Sequence, residues 1–513
     1  MIKIKKILKK IFSQVVLIGF LLLLQILVLV IGIWKLSRYF AYIYAGLGIL
    51  SLVVLVRIMN KKDNPSYKLV WALPIAMVPV FGGLFYLIIG TQNVRRKFRR
   101  RLSQVKKETA PFLQQGKQTL ETLADQNPYC ANMAAHLALT GCPVYQNTQV
   151  TYFPSGEAQW EAMLAELRQA KRYIFLEYFI IDSGKMWNSI IGILKAKAAQ
   201  GVDVRLLYDG MGCLTSLKSS YPKKLREFGI KCRVFRPFSP FLSALQNNRD
   251  HRKICVIDGH TAFNGGTNLA DEYINVTHKF GYWKDSAVML KGDAAYSFAL
   301  MFLHLWNVPR LEKDNYASYR TLPEETPPRS GEGFVLPYAS EPDHFESNGE
   351  FIYMETITKA RHSLYITTPY LCLDNELVTA LGNAAKCGVR VKIIVPGISD
   401  HWYADAAAQS YYLELMKDGV EIYSFTPGFI HAKNVICDGE IAIVGTVNWD
   451  YRSLYLHFEC GTWMYKTAAV KDILTDFEET IKKCRRLQAS DITGQPWPQR
   501  LLNSVMRVFA PLM

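Results

Sequence analysis

The chain has 513 residues, enough for two or more domains, each with its own core. Its net charge is +16, yet residues 1–110 alone hold nineteen Lys or Arg against two acids, Asp63 and Glu108, and the remainder is close to neutral. A basic excess confined to the region with the long apolar runs argues against nucleic acid as a partner and for a membrane surface.

Residues 1–12 carry five lysines (Lys3, Lys5, Lys6, Lys9 and Lys10), and Val15 to Trp34 is then apolar except for Gln25, which is long enough to span a bilayer. The run meets Trp34, Lys35 and Arg38 in place of a small-residue cleavage site, so an anchor is expected instead of a cleaved signal. Tyr39 to Met59 is a second such run, with Trp34, Tyr39, Tyr42 and Tyr44 placed as an interfacial belt. Leu69 to Gly90 is a third, interrupted by Pro74, Pro79 and Gly82-Gly83. Three crossings would put the N-terminal lysines and the cluster Arg95 to Arg101 on opposite faces. Two crossings, with the broken third run re-entrant or interfacial, keep both in the cytoplasm. The expectation is a membrane anchor over 1–102 and a polar, helical connector over 103–140.

Glu157 to Arg172 is apolar at helical spacing (Trp160, Met163, Leu164, Leu167) and leads into a strand, Tyr173 to Ile181. A helix from Ile190 to Gln200 runs through Gly201 into a strand from Val202 to Tyr208, an alternation that argues for an α/β unit with parallel strands. The order then repeats: Ala170 to Phe179 parallels Ala360 to Tyr370, and Ala198 to Gly210 parallels Ala384 to Gly397, so the chain reads as an internal duplication. The lobes are expected over 141–312 and 336–486, joined by the Pro/Gly/charge-rich linker 313–335. The tail, 487–513, places Leu501, Leu502, Val505, Met506, Phe509 and Leu512 on one helical face with Arg500 and Arg507 beside it. It is either an ordinary packing helix or one that lies on the bilayer.

Each lobe ends in the same constellation. His251, Lys253, Asp258, Gly265 and Asn268 recur as His431, Lys433, Asp438, Gly445 and Asn448, at offsets of +2, +7, +14 and +17 both times. A strand puts His and Lys two apart on one face, and the Asp-Gly pairs Asp258-Gly259 and Asp438-Gly439 signal hairpins. Two such units facing each other supply a nucleophile, a general acid and cations for a phosphoryl group. The other eight histidines, His136, His304, His362 and His401 among them, read as structural or surface groups. A metal is not expected, because Lys253 and Lys433 would repel it and no third ligand is evident. The ten cysteines are scattered, without a CxxC pair, and read as reduced core residues of a cytosolic compartment.

These runs resemble the paired HxK(x)4D(x)6G(G/S/T)xN motifs of the phospholipase D superfamily, and the surrounding sequence, including Asn64 to Trp71, is similar to the bacterial cardiolipin synthases. The resemblance implies duplicated α/β lobes, each a mixed sheet flanked by helices, forming one pseudo-twofold catalytic domain behind N-terminal transmembrane helices. It implies phosphatidyl transfer between two phosphatidylglycerol molecules, giving cardiolipin and glycerol through a phosphatidyl-histidine, without cofactor. His251 is the implied nucleophile and His431 the acid and base. Lys253, Lys433, Asn268 and Asn448 are implied to bind phosphate oxygens, and Gly265 and Gly445 to allow close backbone approach. Asp258 and Asp438 belong to the motif but are implied to support its turn. Asp285 and Glu459 are implied to orient the histidines, with no indication of which serves which. Asp250 and Asn434 depart from the pattern, where Asn and Thr or Ser are common. A hydrolytic phospholipase D or a phosphatidylserine synthase is the alternative within the superfamily; a nuclease lacks the basic face, and an inactive scaffold would not keep both motifs. The expected place is the bacterial plasma membrane.

Overall fold

The computed structural model describes residues 40–62, 64–78, 82–87, 96–238, 247–309, 314–320, 331–342 and 347–512, with three isolated positions before residue 40. The chain divides into two compact units, Met1–Asn93 with Pro237–Asn247, and Val94–Arg236 with Asn248–Met513.

The expected span from Val15 to Trp34 lies outside the described residues. The second run forms the helix Phe40–Met59, which carries Arg57 in its last turn. Its described side chains begin, apart from Tyr42, at Ala45, and among the described residues no helix is long and apolar enough to cross a membrane. The third run breaks where its prolines and glycines put the break. Asn64 caps the helix Pro65–Met77 by accepting from the Ser66 amide at 3.0 Å, and Pro74 withdraws an N–H just before the helix stops. A short turn, Gly82–Phe85, follows. A Cβ on Gly82 would stand 2.5 Å from Ile75 Cα, and one on Gly83 would stand 2.8 Å from Ser51 Cα, so the glycine pair lets the turn lie against both helices. Trp71 meets Tyr86 edge-on at 5.3 Å, and Lys61 Nζ donates to the Tyr86 hydroxyl at 3.0 Å.

The larger unit holds the duplication. Its first half supplies β1 (Thr148–Phe153), β2 (Tyr173–Tyr178), β3 (Asp203–Asp209), β4 (Lys231–Phe235), β5 (Lys253–Ile257), β6 (Thr261–Gly265), β7 (Tyr282–Lys284) and β8 (Ala287–Gly292). The second supplies β9 (Phe334–Ser340), β10 (Ser363–Thr367), β11 (Leu371–Cys372), β12 (Arg390–Pro396), β13 (Glu421–Phe425), β14 (Gly428–Ile430), β15 (Asn434–Cys437), β16 (Ile441–Gly445), β17 (Trp449–Asp450), β18 (Glu459–Tyr465) and β19 (Cys484–Arg486). One sheet runs β1-β8-β6-β5-β2-β3-β4 and the other β9-β18-β16-β15-β10-β12-β13-β19, the same order with one strand added at the edge. In each, three parallel strands adjoin an antiparallel motif hairpin. β9 begins at Phe334, two residues before the expected start of the second lobe at 336.

A shared core explains why the halves form one unit. Ile254, Val256 and Val288 of the first sheet and Ile436, Val444 and Met464 of the second belong to one buried cluster. The helix Ala295–Asn307, buried on every side, packs in it. The outer face of each sheet has its own cluster under its helices. The connector is helical as expected (Arg96–Thr109, Lys117–Gln126, Pro128–Leu139), and all ten cysteines are free thiols.

The motif aspartates stay at the turns. Asp258 and Asp438 both adopt φ 53° and are followed by Gly259 and Gly439 at φ 80° and 66°, the left-handed pair of a tight hairpin. Asp258 accepts the amides of Lys171, Arg172 and Tyr173 at 2.8, 2.8 and 2.9 Å. Asp438 accepts those of Arg361, His362 and Ser363 at 2.8, 2.7 and 2.8 Å. Each carboxylate therefore ties the hairpin to the start of the neighbouring parallel strand, at the opposite end of the motif strand from its histidine. Asp438→Ala is expected to cost about 3 kcal/mol of stability by leaving these amides unpaired, while the pH profile of the surviving activity stays put; chemical unfolding and a pH–rate series check both.

Candidate active site

Both histidines lie in the loop just before a motif strand, and each is pinned by backbone from the other half. His251 N donates to Phe458 O at 2.9 Å, and His431 N to Lys284 O at 2.6 Å. The second contact continues the parallel pairing of β14 with β7, and the first sits beside the bridge between Asp250 and Phe458. The two ends of the pseudo-twofold axis are thus built alike.

The side chains cross in the same way. His251 Nδ1 lies 2.9 and 3.0 Å from the two carboxylate oxygens of Glu459, and His431 Nδ1 lies 2.7 Å from Asp285 Oδ2. Each imidazole is held by a carboxylate of the opposite lobe, which places the proton on Nδ1 and leaves Nε2 to react. Glu459 also accepts the Thr446 hydroxyl, and Asp285 accepts the Ser286 amide at 2.8 Å. Lys253 Nζ donates to His251 O at 2.6 Å, and Lys433 Nζ to His431 O.

Burial dominates the electrostatics. It holds His251 well below the ordinary imidazole value, with Lys253 and Lys433 adding to the effect. Burial and then Lys433 bring His431 down to about 4. The lysines fall to about 8 for Lys253 and about 7 for Lys433, again through burial. Burial would raise Asp285, but His431 and Lys433 keep it below its usual range. Burial pushes Glu459 up to about 7 against the pull of Lys253 and the Thr446 hydroxyl. A neutral imidazole beside paired amines suits attack on a phosphodiester better than cation binding.

Thr446→Val removes a donor that favours the charged form of Glu459, so the carboxyl pKa rises. Activity that needs the Glu459 carboxylate is lost as pH falls through that pKa, near 7 in the parent. The acidic limb of kcat/KM is expected to move up by about half to one pH unit.

A Cβ on Gly265 would stand 2.4 Å from Ser286 O, and one on Gly445 2.6 Å from Cys460 O. These glycines therefore allow the close backbone approach expected of them, with the hairpin running against the strand that follows each orienting carboxylate. Asn268 is engaged at both ends of its amide, accepting from Ile180 N at 3.0 Å and donating to the Tyr273 hydroxyl at 2.7 Å. Asn448 Oδ1 is buried without a hydrogen-bond partner. Asn434 accepts from Ser286 Oγ at 2.7 Å and donates to the Tyr152 hydroxyl at 3.0 Å, fastening β15 next to Asp285.

His457, one of the eight histidines expected to be structural or surface groups, stands beside His251 in the site. It lies two residues before Glu459, as Trp283 lies two before Asp285. Trp283, Tyr273 and Phe429 wall His431 at ring distances of 5.3, 5.4 and 5.8 Å, whereas His251 is flanked by Phe179 at 5.1 Å and His457 at 5.8 Å. Both ring nitrogens of His457 lack a hydrogen-bond partner, and Nδ1 is 3.8 Å from Glu459 Oε1. His251, His457 and Glu459 are close enough to share a metal ion, a third ligand that the sequence did not reveal, but Lys253 beside them opposes a cation. Matching the spacing before the two carboxylates would have drawn attention to His457.

Beneath His251 lies a buried ionic cluster. The Arg252 guanidinium is fully buried and pairs with Glu341, lies 3.7 Å from Glu177, and donates to the carbonyls of Glu459 and Met301 at 3.3 Å each. Glu341 also pairs with Lys106 of the connector helix. Burial, and then the neighbouring carboxyl, pushes Glu177 well above its usual range; burial brings Asp250 to about 7. The departure at Asp250 thus belongs to this cluster.

Duplicated lobes, crossed His-carboxylate contacts and paired lysines define a phospholipase D-like enzyme. A family model described as "Cardiolipin synthase, PLD-like domain" matches residues 163–306 and 353–481, and one for the "Phospholipase_D-nuclease N-terminal" region matches 49–90. A cardiolipin synthase of Alkalihalophilus pseudofirmus is 33% identical over 473 residues, covering 91% of this chain and 92% of its own. One of Geobacillus kaustophilus is 31% identical over 495 residues, covering 95% and 97%. An uncharacterized protein of Streptococcus mutans is 44% identical over 457 residues, covering 89% and 98%. Among solved structures, phosphatidylserine synthase of Haemophilus influenzae superposes with a TM-score of 0.57 at 15% identity, over 75% of this chain and all of that one, a likeness of fold. The chain belongs to the cardiolipin synthase family, a group of phosphatidyltransferases within the phospholipase D superfamily.

Proposed function

We propose that the chain joins two phosphatidylglycerol molecules into cardiolipin and glycerol at the site between its lobes. The observation that carries this reading is the crossed pairing of His251 with Glu459 and His431 with Asp285, which presents two free Nε2 atoms from opposite lobes. His251 Nε2 attacks phosphorus as the bond to the glycerol headgroup breaks, and His431, which takes up a proton on Nε2 when the anionic phosphodiester binds beside it, gives that proton to the departing oxygen. His431 then takes the proton of a glycerol hydroxyl on the second lipid, whose oxygen displaces His251 and restores the enzyme. Lys253 and Lys433, with Asn448, stabilise the non-bridging oxygens as charge grows there. No nucleotide is consumed. Purified protein in detergent with phosphatidylglycerol and a chelator is expected to release glycerol and form cardiolipin; phosphatidic acid as the product would instead assign hydrolysis.

The same reading places residues 1–102 as a plasma-membrane anchor with two crossings and a re-entrant third run, keeping the catalytic lobes cytoplasmic. Support comes from the break after Pro74 and from the exposed apolar side chains of the helix Phe40–Met59, among them Ile49, Leu52, Val53 and Val56. Single cysteines near Lys5 and Arg100 should label from the same side; labelling from opposite sides overturns the two-crossing topology.

A further inference from the structure

The helix Trp497–Phe509 is apolar on the side that a water-exposed helix ordinarily makes polar. Its inner side packs on the helix Trp402–Lys417. Asn503 is buried and donates to Gln409 Oε1 at 3.3 Å, Met506 packs against the cluster of Cys372, Ala407 and Tyr451, and Arg507 pairs with Glu414 at 2.7 Å. Its outer side exposes Trp497, Leu501, Val505, Val508 and Phe509, Trp497 to 75%. At about 100° per residue these five fall on one stripe of roughly 120°. Arg500 borders the stripe.

A second exposed group stands at the start of the supporting helix. Ile398, Trp402 and Tyr403 are exposed, Trp402 to 66%. They end a row of rings that begins in the active site: His431 to Phe429 at 5.8 Å, Phe429 to Tyr370 at 6.4 Å, Tyr370 to His401 at 6.3 Å and His401 to Tyr403 at 5.3 Å. Exposed Tyr282, paired with Gly428 next to Phe429, joins this rim from the first lobe.

We infer that the outer stripe of the helix Trp497–Phe509, together with Ile398, Trp402 and Tyr403, is a docking surface for an anionic phospholipid bilayer. Three observations commit it to that occupant. Trp and Tyr, amphipathic rings suited to the headgroup layer, stand out from both parts. A basic residue, Arg500, borders the apolar stripe, matching a negatively charged lipid surface. The rim is continuous with the wall of a site that must draw its substrates from the bilayer, a point that rests on the lipid-transfer reading above. Lipid then reaches His431 along aromatic side chains without leaving the interface.

The test compares full-length protein with the double variant Leu501→Glu/Val505→Glu on phosphatidylglycerol presented two ways. In detergent mixed micelles, turnover is expected to stay within about twofold of the parent; on vesicles of phosphatidylglycerol and phosphatidylcholine it is expected to fall about tenfold or more. A fluorescent amino acid incorporated at 501 should shift to the blue on those vesicles, while one at the exposed Ser490 should not. Equal losses in micelles and vesicles would make the stripe structural, and no loss in either would remove it from lipid contact; both overturn the inference. Loss of self-association in the double variant with vesicle turnover intact would assign the stripe to a second copy of the chain and overturn it too. A parent protein that makes no cardiolipin even in micelles would instead count against the transfer reading.

Discussion

Alanine at His251 or at His431 is expected to lower turnover of phosphatidylglycerol by about 10⁴-fold or more, and the double variant is expected to be little worse than either single one, because the two act as a unit. The roles separate with a donor whose leaving group needs no proton, such as a phosphatidyl nitrophenyl ester. The His431→Ala variant should then still form the phosphatidyl-histidine and release a stoichiometric burst of nitrophenol, stalling when no base activates the acceptor alcohol. The His251→Ala variant should give no burst. The opposite pattern would exchange nucleophile and acid, and robust glycerol release by either single variant would end the two-histidine mechanism. Each variant also strips a carboxylate of its imidazole partner, Glu459 in one case and Asp285 in the other, so thermal melts should accompany the kinetics.

The motif spacing made the histidines and lysines legible because a repeated pattern reports local constraints: a loop, a strand and an Asp-Gly turn recur wherever the same hairpin is built. The alternation of strand and helix along each lobe was legible for the same reason, whereas the order of the strands within each sheet was not. The pairing of the orienting carboxylates was not, since it joins residues 208 and 146 positions apart and depends on the lobes meeting about a pseudo-twofold axis. Arg252, Glu177 and Glu341 were passed over because isolated charges in a sequence look like solvated surface; only the packed sheets and the connector helix show them to be buried together. That Gly265 and Gly445 allow a close approach was legible, but what approaches them was not: it is the neighbouring strand, whose backbone leaves no room for a Cβ. His457 was lost among histidines without a matched partner, although its counterpart at the other end of the axis, Trp283, occupies the equivalent position.

Arg252→Ala is expected to destabilise the protein by about 3–5 kcal/mol, because it removes one partner of a buried ionic cluster and leaves the others charged or partly desolvated. Glu341 would keep Lys106, but Glu177 would lose its nearest cation, and the carbonyls of Glu459 and Met301 would lose a donor. The pH dependence follows from Glu177, whose burial already holds it well above the usual carboxyl range. Without Arg252 its folded-state pKa rises further, so the folded chain keeps a proton that the unfolded chain gives up. Stability is therefore lost as pH rises above the unfolded value, and the deficit of the variant relative to the parent opens as pH passes the parent's raised folded-state value, so it should be larger at an alkaline pH than at pH 5.5. Glu177→Gln in an Arg252→Met background should recover about 1–2 kcal/mol of the loss by removing the carboxyl that has lost its nearest cation. Chemical unfolding of the parent, Arg252→Met, Glu177→Gln and the double variant at both pH values measures the coupling. Additive effects at each pH would show that Arg252 acts by packing alone and that the cluster does not behave as an ionic unit.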